Sequence, residues 1–293
     1  MFIIGGIQKT TLIDFPGKVA AIVFTQGCNF RCGYCHNPSL INPSPLRKEW
    51  VEVRDFFSFL QTRTGKLDGV VITGGEPTLQ SGLYDFIKEI KQMGFDVKLD
   101  TNGTNPDVIE KLLNNNLLDY IAMDIKAPIE KYKNIVCRNI KQENILRSIH
   151  LIIKSKIDNE FRTTVIKSQL SPDDFEKIGQ MINGAKRYYM QKFVPSEIFD
   201  HNLINEQTYT DNEFKTICEN LKNIAKNTVT NIKKRPTIVS LLKFRDDWIR
   251  TSGPYHPMIV RYQAALHPDI QLSSWKIFVL IYVGWVYQPY KIS

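Results

Sequence analysis

Short apolar runs alternate with amphipathic stretches from about residue 18 to residue 194 of this chain. Runs at 19–24, 69–73, 96–100, 120–124, 161–166 and 187–194 have strand length and are bounded by turn residues. Between them, apolar residues recur at helical spacing. Trp50, Val51, Phe56, Phe57 and Leu60 form one such stripe, and Leu83, Phe86, Ile87 and Ile90 form another. Asn105-Pro106 reads as a helix start, with Val108, Ile109, Leu112 and Leu113 turned inward. Further helical patterns cover 145–153, 175–182 and 211–226.

Apolar runs bounded on both sides by helices are expected of parallel strands covered on both faces. The pattern therefore predicts an α/β fold, an incomplete β/α barrel of about six units. In such a fold the functional loops follow the C-terminal ends of strands. A cysteine-rich stretch, a Gly74-Gly75 turn, Asp100 and Asp124 all fall there.

Composition adds class and compartment. Hydrophobic residues make up 43% and charged residues 23% of the 293, which is globular rather than disordered. The formal charge is +8, but its cations are dispersed, and Lys88, Lys91 and Lys98 read as solvated helix faces. A soluble basic protein with no nucleic-acid partner is the reading that follows. The longest apolar run, 277–287, is well short of the ~20 residues that span a bilayer. No secretory signal opens the chain, and five cysteines without one predict a reducing, cytoplasmic setting.

Three of those five, Cys28, Cys32 and Cys35, lie within eight residues as C-x3-C-x2-C. Three thiolates on one loop can each hold a different corner of a 4Fe–4S cube, leaving one iron without a protein ligand and open to chemistry. A structural zinc knuckle that adds His36 is the alternative, although adjacent Cys35 and His36 would strain to bind one ion. Cys218 lies on an apolar helical stripe and reads as core, and Cys137 as incidental. Downstream, T-G-G-E-P-T (Thr73 to Thr78), L-D-T-N-G-T (Leu99 to Thr104) and M-D-I-K-A-P (Met123 to Pro128) each follow a predicted strand. A zinc knuckle leaves all three unexplained.

Together these motifs resemble the radical S-adenosylmethionine (SAM) enzymes. With G-I-Q-K-T-T-L-I-D-F-P-G-K near the start, and E-F-R-T-T-V and A-K-R-Y-Y-M-Q-K-F later, the chain is most similar to activating proteins of anaerobic ribonucleoside-triphosphate reductase, relatives of pyruvate formate-lyase activating enzyme. The resemblance covers about residues 1–235. It implies a radical SAM barrel with one 4Fe–4S cluster on Cys28, Cys32 and Cys35, whose open iron is chelated by SAM. It places Tyr34 and His36 near the adenine, and Gly74, Gly75 and Glu76 at the methionine amino group. Asp124, Lys126 and Arg162 fall to the ribose and carboxylate, and Asp100 and Asn102 to the mouth beside that carboxylate. Gln191 stands where some relatives carry histidine in the adenosyl pocket. The implied reaction is reductive cleavage of SAM to a 5′-deoxyadenosyl radical, which takes hydrogen from a glycine Cα of a partner protein. A low-potential electron donor is the second implied partner. Activation of another glycyl-radical enzyme, or a small-molecule reaction such as deazapurine synthesis, is the alternative within the class.

Residues 236–293 differ in character. They hold Trp248, Trp275 and Trp285 but no glutamate, and amphipathic periodicity stops. Trp248-Ile249-Arg250-Thr251 is what TGG-ATT-CGA-ACC encodes, the complement of a transfer-RNA T-arm. The tail is read as an atypical extension, a translation of neighbouring DNA, with a partner-binding appendage as the alternative.

Overall fold

The computed structural model describes residues 1–42, 50–195, 198–224 and 229–233. The 236–293 tail and the boundary placed before it lie outside the described residues. Eight strands form one sheet in sequence order: β1 (Ile4–Thr11), β2 (Ala20–Thr25), β3 (Gly69–Gly74), β4 (Asp96–Thr101), β5 (Tyr120–Asp124), β6 (Asp158–Val165), β7 (Arg187–Lys192) and β8 (Val229–Lys233). From β2 onward every pairing is parallel, and β1 pairs antiparallel with β2. The helices are α1 (Val53–Gln61), α2 (Leu83–Gln92), α3 (Pro106–Asn114), α4 (Tyr132–Val136), α5 (Gln142–Lys154), α6 (Pro172–Met181) and α7 (Asp211–Ile224). All six expected strands are present. β1 and β8 extend the sheet at its two ends, so the parallel run has seven strands rather than six.

The helical stripes form one large core with one face of the sheet. Phe56 and Leu60 of α1, Phe86 and Ile90 of α2, and Ile109 and Leu112 of α3 are buried with Val70, Ile72, Val97, Leu99 and Ile121. Each such side chain contributes about 1.5–3 kcal/mol on leaving water. The opposite face holds a smaller cluster in which Ala20, Ile22 and Phe24 of β2 meet Val71, Tyr120 and Ala122. Successive strand residues alternate between these faces. That alternation sends Lys98 and Asp100 to the inner side, since Val97 and Leu99 join the helix-covered core.

Two expectations are corrected here. Helix α1 begins at Val53, because Val51 forms an antiparallel bridge to Ile4, its N–H donating to the Ile4 carbonyl at 2.9 Å. Lys98 is not a solvated helix residue: it sits on β4 with its side chain 1% exposed, held by Asp100. Lys91 is also drawn inward, pairing with Asp119 at 2.7 Å, whereas Lys88 is exposed.

Candidate active site

β2 delivers the chain into the cysteine loop, and the turn after β3 packs directly on that loop's first residues. Gly75 N–H donates to the Thr25 carbonyl and Glu76 N–H to the Gly27 carbonyl, each at 2.8 Å. A Cβ on Gly75 would lie 2.1 Å from the Gly27 oxygen, and Gly74 adopts φ +113° against β2. Glycine is needed at both positions because backbone meets backbone there. Within the loop, Cys35 N–H donates to the Cys32 carbonyl at 3.0 Å. Arg31 ties the loop's outer side through the carbonyls of Cys28 (2.7 Å) and Phe30 (2.8 Å) and through Asn42 (2.8 Å).

Glu76 lies at the centre of the arrangement, 1% exposed. Its Oε1 accepts from Thr78 N–H (3.1 Å), Thr78 Oγ1 (2.5 Å) and Thr101 Oγ1 (2.7 Å), and its Oε2 from Asn102 N–H (2.7 Å). Asn102 in turn donates from Nδ2 to Asn29 Oδ1 at 2.8 Å, inside the cysteine loop, while its own Oδ1 accepts from Thr104. Three loops after three strands are thereby joined by buried hydrogen bonds. Burial raises the Glu76 carboxyl above its ordinary range, against the pull of those donors.

Beside this junction runs a row of alternating charge. Arg162 on β6 donates from Nε to Asp124 Oδ1 (2.8 Å) and from Nη1 to Asp100 Oδ2 (3.1 Å). Register puts Arg162 directly opposite Asp124. Lys126 reaches Asp124 Oδ2 at 3.0 Å, Lys98 pairs with Asp100, and Glu160 lies 3.8 Å from Arg162 while accepting the Tyr120 hydroxyl at 2.8 Å. Three cations (Lys98, Lys126, Arg162) thus face three anions (Asp100, Asp124, Glu160), with no net formal charge. Burial alone would raise both aspartates, but Arg162 with Lys98 holds Asp100, and Arg162 with Lys126 holds Asp124, below the carboxylate range.

The three thiols respond to burial and to one another. Burial pushes Cys28 up to about 11 and Cys32 up to about 12, and Cys35 also rises. Lys126 draws all three the other way. Such thiols need a metal to hold them as thiolates, and loading releases their protons. Among the described residues no three His, Cys, Asp or Glu side chains gather around a point for one metal ion. A cube takes its ligands at separate corners, which suits three thiols spaced along one loop. The buried Tyr34 hydroxyl has no hydrogen-bond partner among the described residues, and Lys126 Nζ lies 5.9 Å from its ring centre. His36 stacks on Phe193, ring centres 6.2 Å apart, two residues beyond the half-buried Gln191 on β7.

A loop carrying three thiols, beside a partly buried charge row without net charge at adjacent strand ends, is matched by a family model. The Radical SAM superfamily model covers residues 22–182. The chain belongs to the radical SAM superfamily. This family uses a 4Fe–4S cluster and SAM, and three thiols on one loop are the donor chemistry that such a cluster takes. A Methanocaldococcus jannaschii protein named as a candidate glycyl-radical enzyme activating enzyme is 35% identical over 235 residues, 78% of this radical SAM chain and 94% of that protein. Pyruvate formate-lyase-activating enzyme of Clostridium pasteurianum is 34% identical over 132 residues, 42% of this chain and 52% of its own. The 7-carboxy-7-deazaguanine synthase of Thermococcus kodakarensis is 25% identical over 210 residues, covering 64% and 79%. The solved structure of Streptococcus suis SuiB bound to S-adenosylmethionine shares the fold, with TM-score 0.56 and 13% identity over 72% of this chain; the match spans about half (49%) of that structure.

Hydrogen bonds join Gly75, Glu76 and Asn102 to the cysteine loop, and ion pairs join Asp100, Asp124, Lys126 and Arg162 in one row that approaches the Tyr34 ring through Lys126; His36 meets Phe193, just past the strand that carries Gln191. Sequence reading missed Asn29, Lys98 and Glu160. The period-2 parity of Lys98 with Asp100, and of Glu160 with Arg162, is the signal that could have found two of them. Among the described residues no helix is long and apolar enough to cross a membrane.

Proposed function

We propose that this chain is a glycyl-radical enzyme activase whose protein substrate is an anaerobic ribonucleoside-triphosphate reductase. The match to the Methanocaldococcus protein over nearly that protein's whole length carries the activase reading. The reductase is favoured by the G-I-Q-K-T-T-L-I-D-F-P-G-K and K-L-D-T-N-G segments, which resemble its activating proteins. Cys28, Cys32 and Cys35 would hold the cluster, and SAM would occupy the space between the cysteine loop and the charge row. When bound, the two supply one-electron cleavage of the sulfonium and, through it, hydrogen-atom abstraction.

The protein's part is position and exclusion of water. Arg162 fixes Asp100 and Asp124 together, so the groups offered to the ribose and to the amino-acid end keep one spacing. The methionine amino group would meet the backbone edge of Gly74 and Gly75, because the Glu76 carboxylate is engaged by four protein donors. Asp100 and Asn102 would border the carboxylate with Lys126, and Tyr34, His36 and Gln191 would line the adenosyl side. A row without net charge suits a zwitterionic amino-acid group, whose two charges each find an opposite.

Anaerobic reconstitution, reduction and assay for 5′-deoxyadenosine test the enzyme, with Cys32→Ala expected to lose both cluster and product. A glycyl doublet in electron paramagnetic resonance, formed only when the reductase is added, tests the substrate. The relationship to 7-carboxy-7-deazaguanine synthase supplies the second reading, a small-molecule reaction. Product formation from a deazapurine precursor, with no doublet on the reductase, would establish that reading instead.

A further inference from the structure

A groove of about 500 Å³ opens on the outer side of the cysteine loop. One wall is Arg31 and Gly33, between the cysteines; another is Cys137, just past α4; the third is the segment from Phe199 to Asn202. That last segment is fastened to the loop: Phe199 N–H donates to the Cys35 carbonyl at 3.1 Å and Asp200 N–H to the Gly33 carbonyl at 2.9 Å. A side chain at Gly33 would strike Leu203 at 2.7 Å, so the glycine permits this close seat. None of Glu76, Asp100, Asp124, Lys126, Arg162 and Gln191 reaches the groove. It therefore meets the cluster's loop while avoiding the SAM side.

We infer that this groove docks the electron donor, an acidic protein that carries single electrons. The inference rests on the radical SAM reading above, because it requires a cluster to receive the electron. A protein substrate must reach the adenosyl side, whereas a donor needs only proximity to the cluster, which the loop between Cys32 and Cys35 offers. Charge chooses the partner. Residues 131–141 read K-Y-K-N-I-V-C-R-N-I-K, four cations and no carboxylate, and run through the groove's Cys137 wall. Lys131 is paired with Asp174, but Lys133, Arg138 and Lys141 are exposed around Cys137. Phe199, 42% exposed, supplies an apolar centre. An apolar contact beside an exposed basic segment is complementary to a carrier whose cofactor edge is ringed by carboxylates. Of the charged groups lining the groove, Arg31 and Asp200 are one cation and one anion and offset each other, so the exposed cations of the Cys137 segment set the sign. On docking, one electron leaves the carrier and enters the cluster; no atom is transferred.

The test uses the full chain, reconstituted without air, and a bacterial flavodoxin as the carrier. Lys133, Arg138 and Lys141 are changed together to Glu, and Phe199→Ser is made separately. Oxidised flavodoxin binding is measured by calorimetry, and cluster reduction is followed with flavodoxin hydroquinone and, separately, with titanium(III) citrate. Charge reversal is expected to weaken binding and slow flavodoxin-driven reduction by about tenfold or more at low salt, with a flattened salt dependence. Phe199→Ser is expected to weaken binding at every salt concentration. Titanium-driven reduction is expected to be unchanged in both variants. Flavodoxin binding and reduction unaltered in both variants would overturn the docking alone. Retained flavodoxin reduction with loss of the reductase's glycyl signal would assign the groove to the protein substrate, and also overturn it. Failure of titanium to drive SAM cleavage in the unaltered protein would strike down the function and the docking together.

Discussion

The Glu76 carboxylate accepts the backbone N–H of Asn102 at 2.7 Å, across 26 residues of sequence and at a site closed to water. This bond joins the turn after β3 to the end of β4, and Asn102 passes the link on to Asn29 in the cysteine loop. The bond's role is to hold three loops at fixed separation.

Glu76→Gln replaces an acceptor by a donor opposite donors it cannot satisfy. Loss of about 1–3 kcal/mol of stability is expected, the scale of a buried polar group left unpaired. Urea unfolding followed by circular dichroism measures it. Iron content after reconstitution should also fall. A midpoint and an iron content both equal to those of the unaltered protein would refute the keystone role.

Lys98 gives a second prediction. Its side chain is 1% exposed, and its ammonium pairs with Asp100, which Arg162 also holds. Lys98→Met strips one of two cations from a buried carboxylate, and a cost of about 3 kcal/mol is expected, as for a broken buried pair. Pairing it with Asp100→Asn should restore part of that cost, with a coupling energy of about 0.5–3 kcal/mol in a double-mutant cycle. Additive costs would mean that the two side chains do not act as a unit.

What could be read from the chain alone follows from where information is local. Strands β2, β3 and β5 showed as apolar runs because parallel strands are buried on both faces, while β4, β6 and β7 showed as shorter alternations of apolar and polar residues. The strand β1 did not, since I-G-G-I-Q-K-T-T carries two glycines and a polar end, and its pairing with β2 is a matter of register. Val51 continued a helical stripe in sequence yet serves a bridge to Ile4, a tertiary contact that overrides local pattern. The cysteines were legible because their geometry is set within one loop. Arg162 could be carried to the site by resemblance, but its bridge between Asp100 and Asp124 depends on β4, β5 and β6 lying side by side in one register. Lys98 was misread because charge was taken to mean solvent, when its parity with Asp100 already set its face.

Acid titration probes a carboxyl outside the cysteine loop and the charge row. Asp174 caps α6 in a capping box with Ser171, and its Oδ2 also accepts from Lys131 at 2.6 Å. Burial opposes ionisation, but Lys131 and Ser171 outweigh it and hold the carboxyl below its ordinary value. A carboxyl lowered in the folded state stabilises fully above its unfolded value of about 3.9, and the contribution disappears as pH falls through the lower folded value. Asp174→Asn should therefore cost about 0.5–2 kcal/mol at neutral pH, the range of a lost cap. The gap from the unaltered protein should be flat down to about pH 4 and close below it. Unfolding midpoints taken across that range check the sign; a gap that widens in acid would contradict it.

Gly75 separates packing from backbone strain. A methyl group there would lie 2.1 Å from the Gly27 oxygen and 2.7 Å from its carbonyl carbon, which are backbone atoms that no rotamer change can move. Gly75→Ala must displace the entry to the cysteine loop itself, and Cys28 is the next residue after Gly27. Gly65 supplies the contrast: its φ is +73°, yet a Cβ there meets nothing within 4 Å. Gly65→Ala carries only left-handed strain, about 1–2 kcal/mol, remote from the site. Reconstituted iron and sulfide should thus fall sharply in Gly75→Ala and stay at the unaltered level in Gly65→Ala, although both variants lose stability. Equal cluster occupancy in the two would mean that the close approach of these turns does not set the positions of the thiols, and the fitted loop would lose its physical basis.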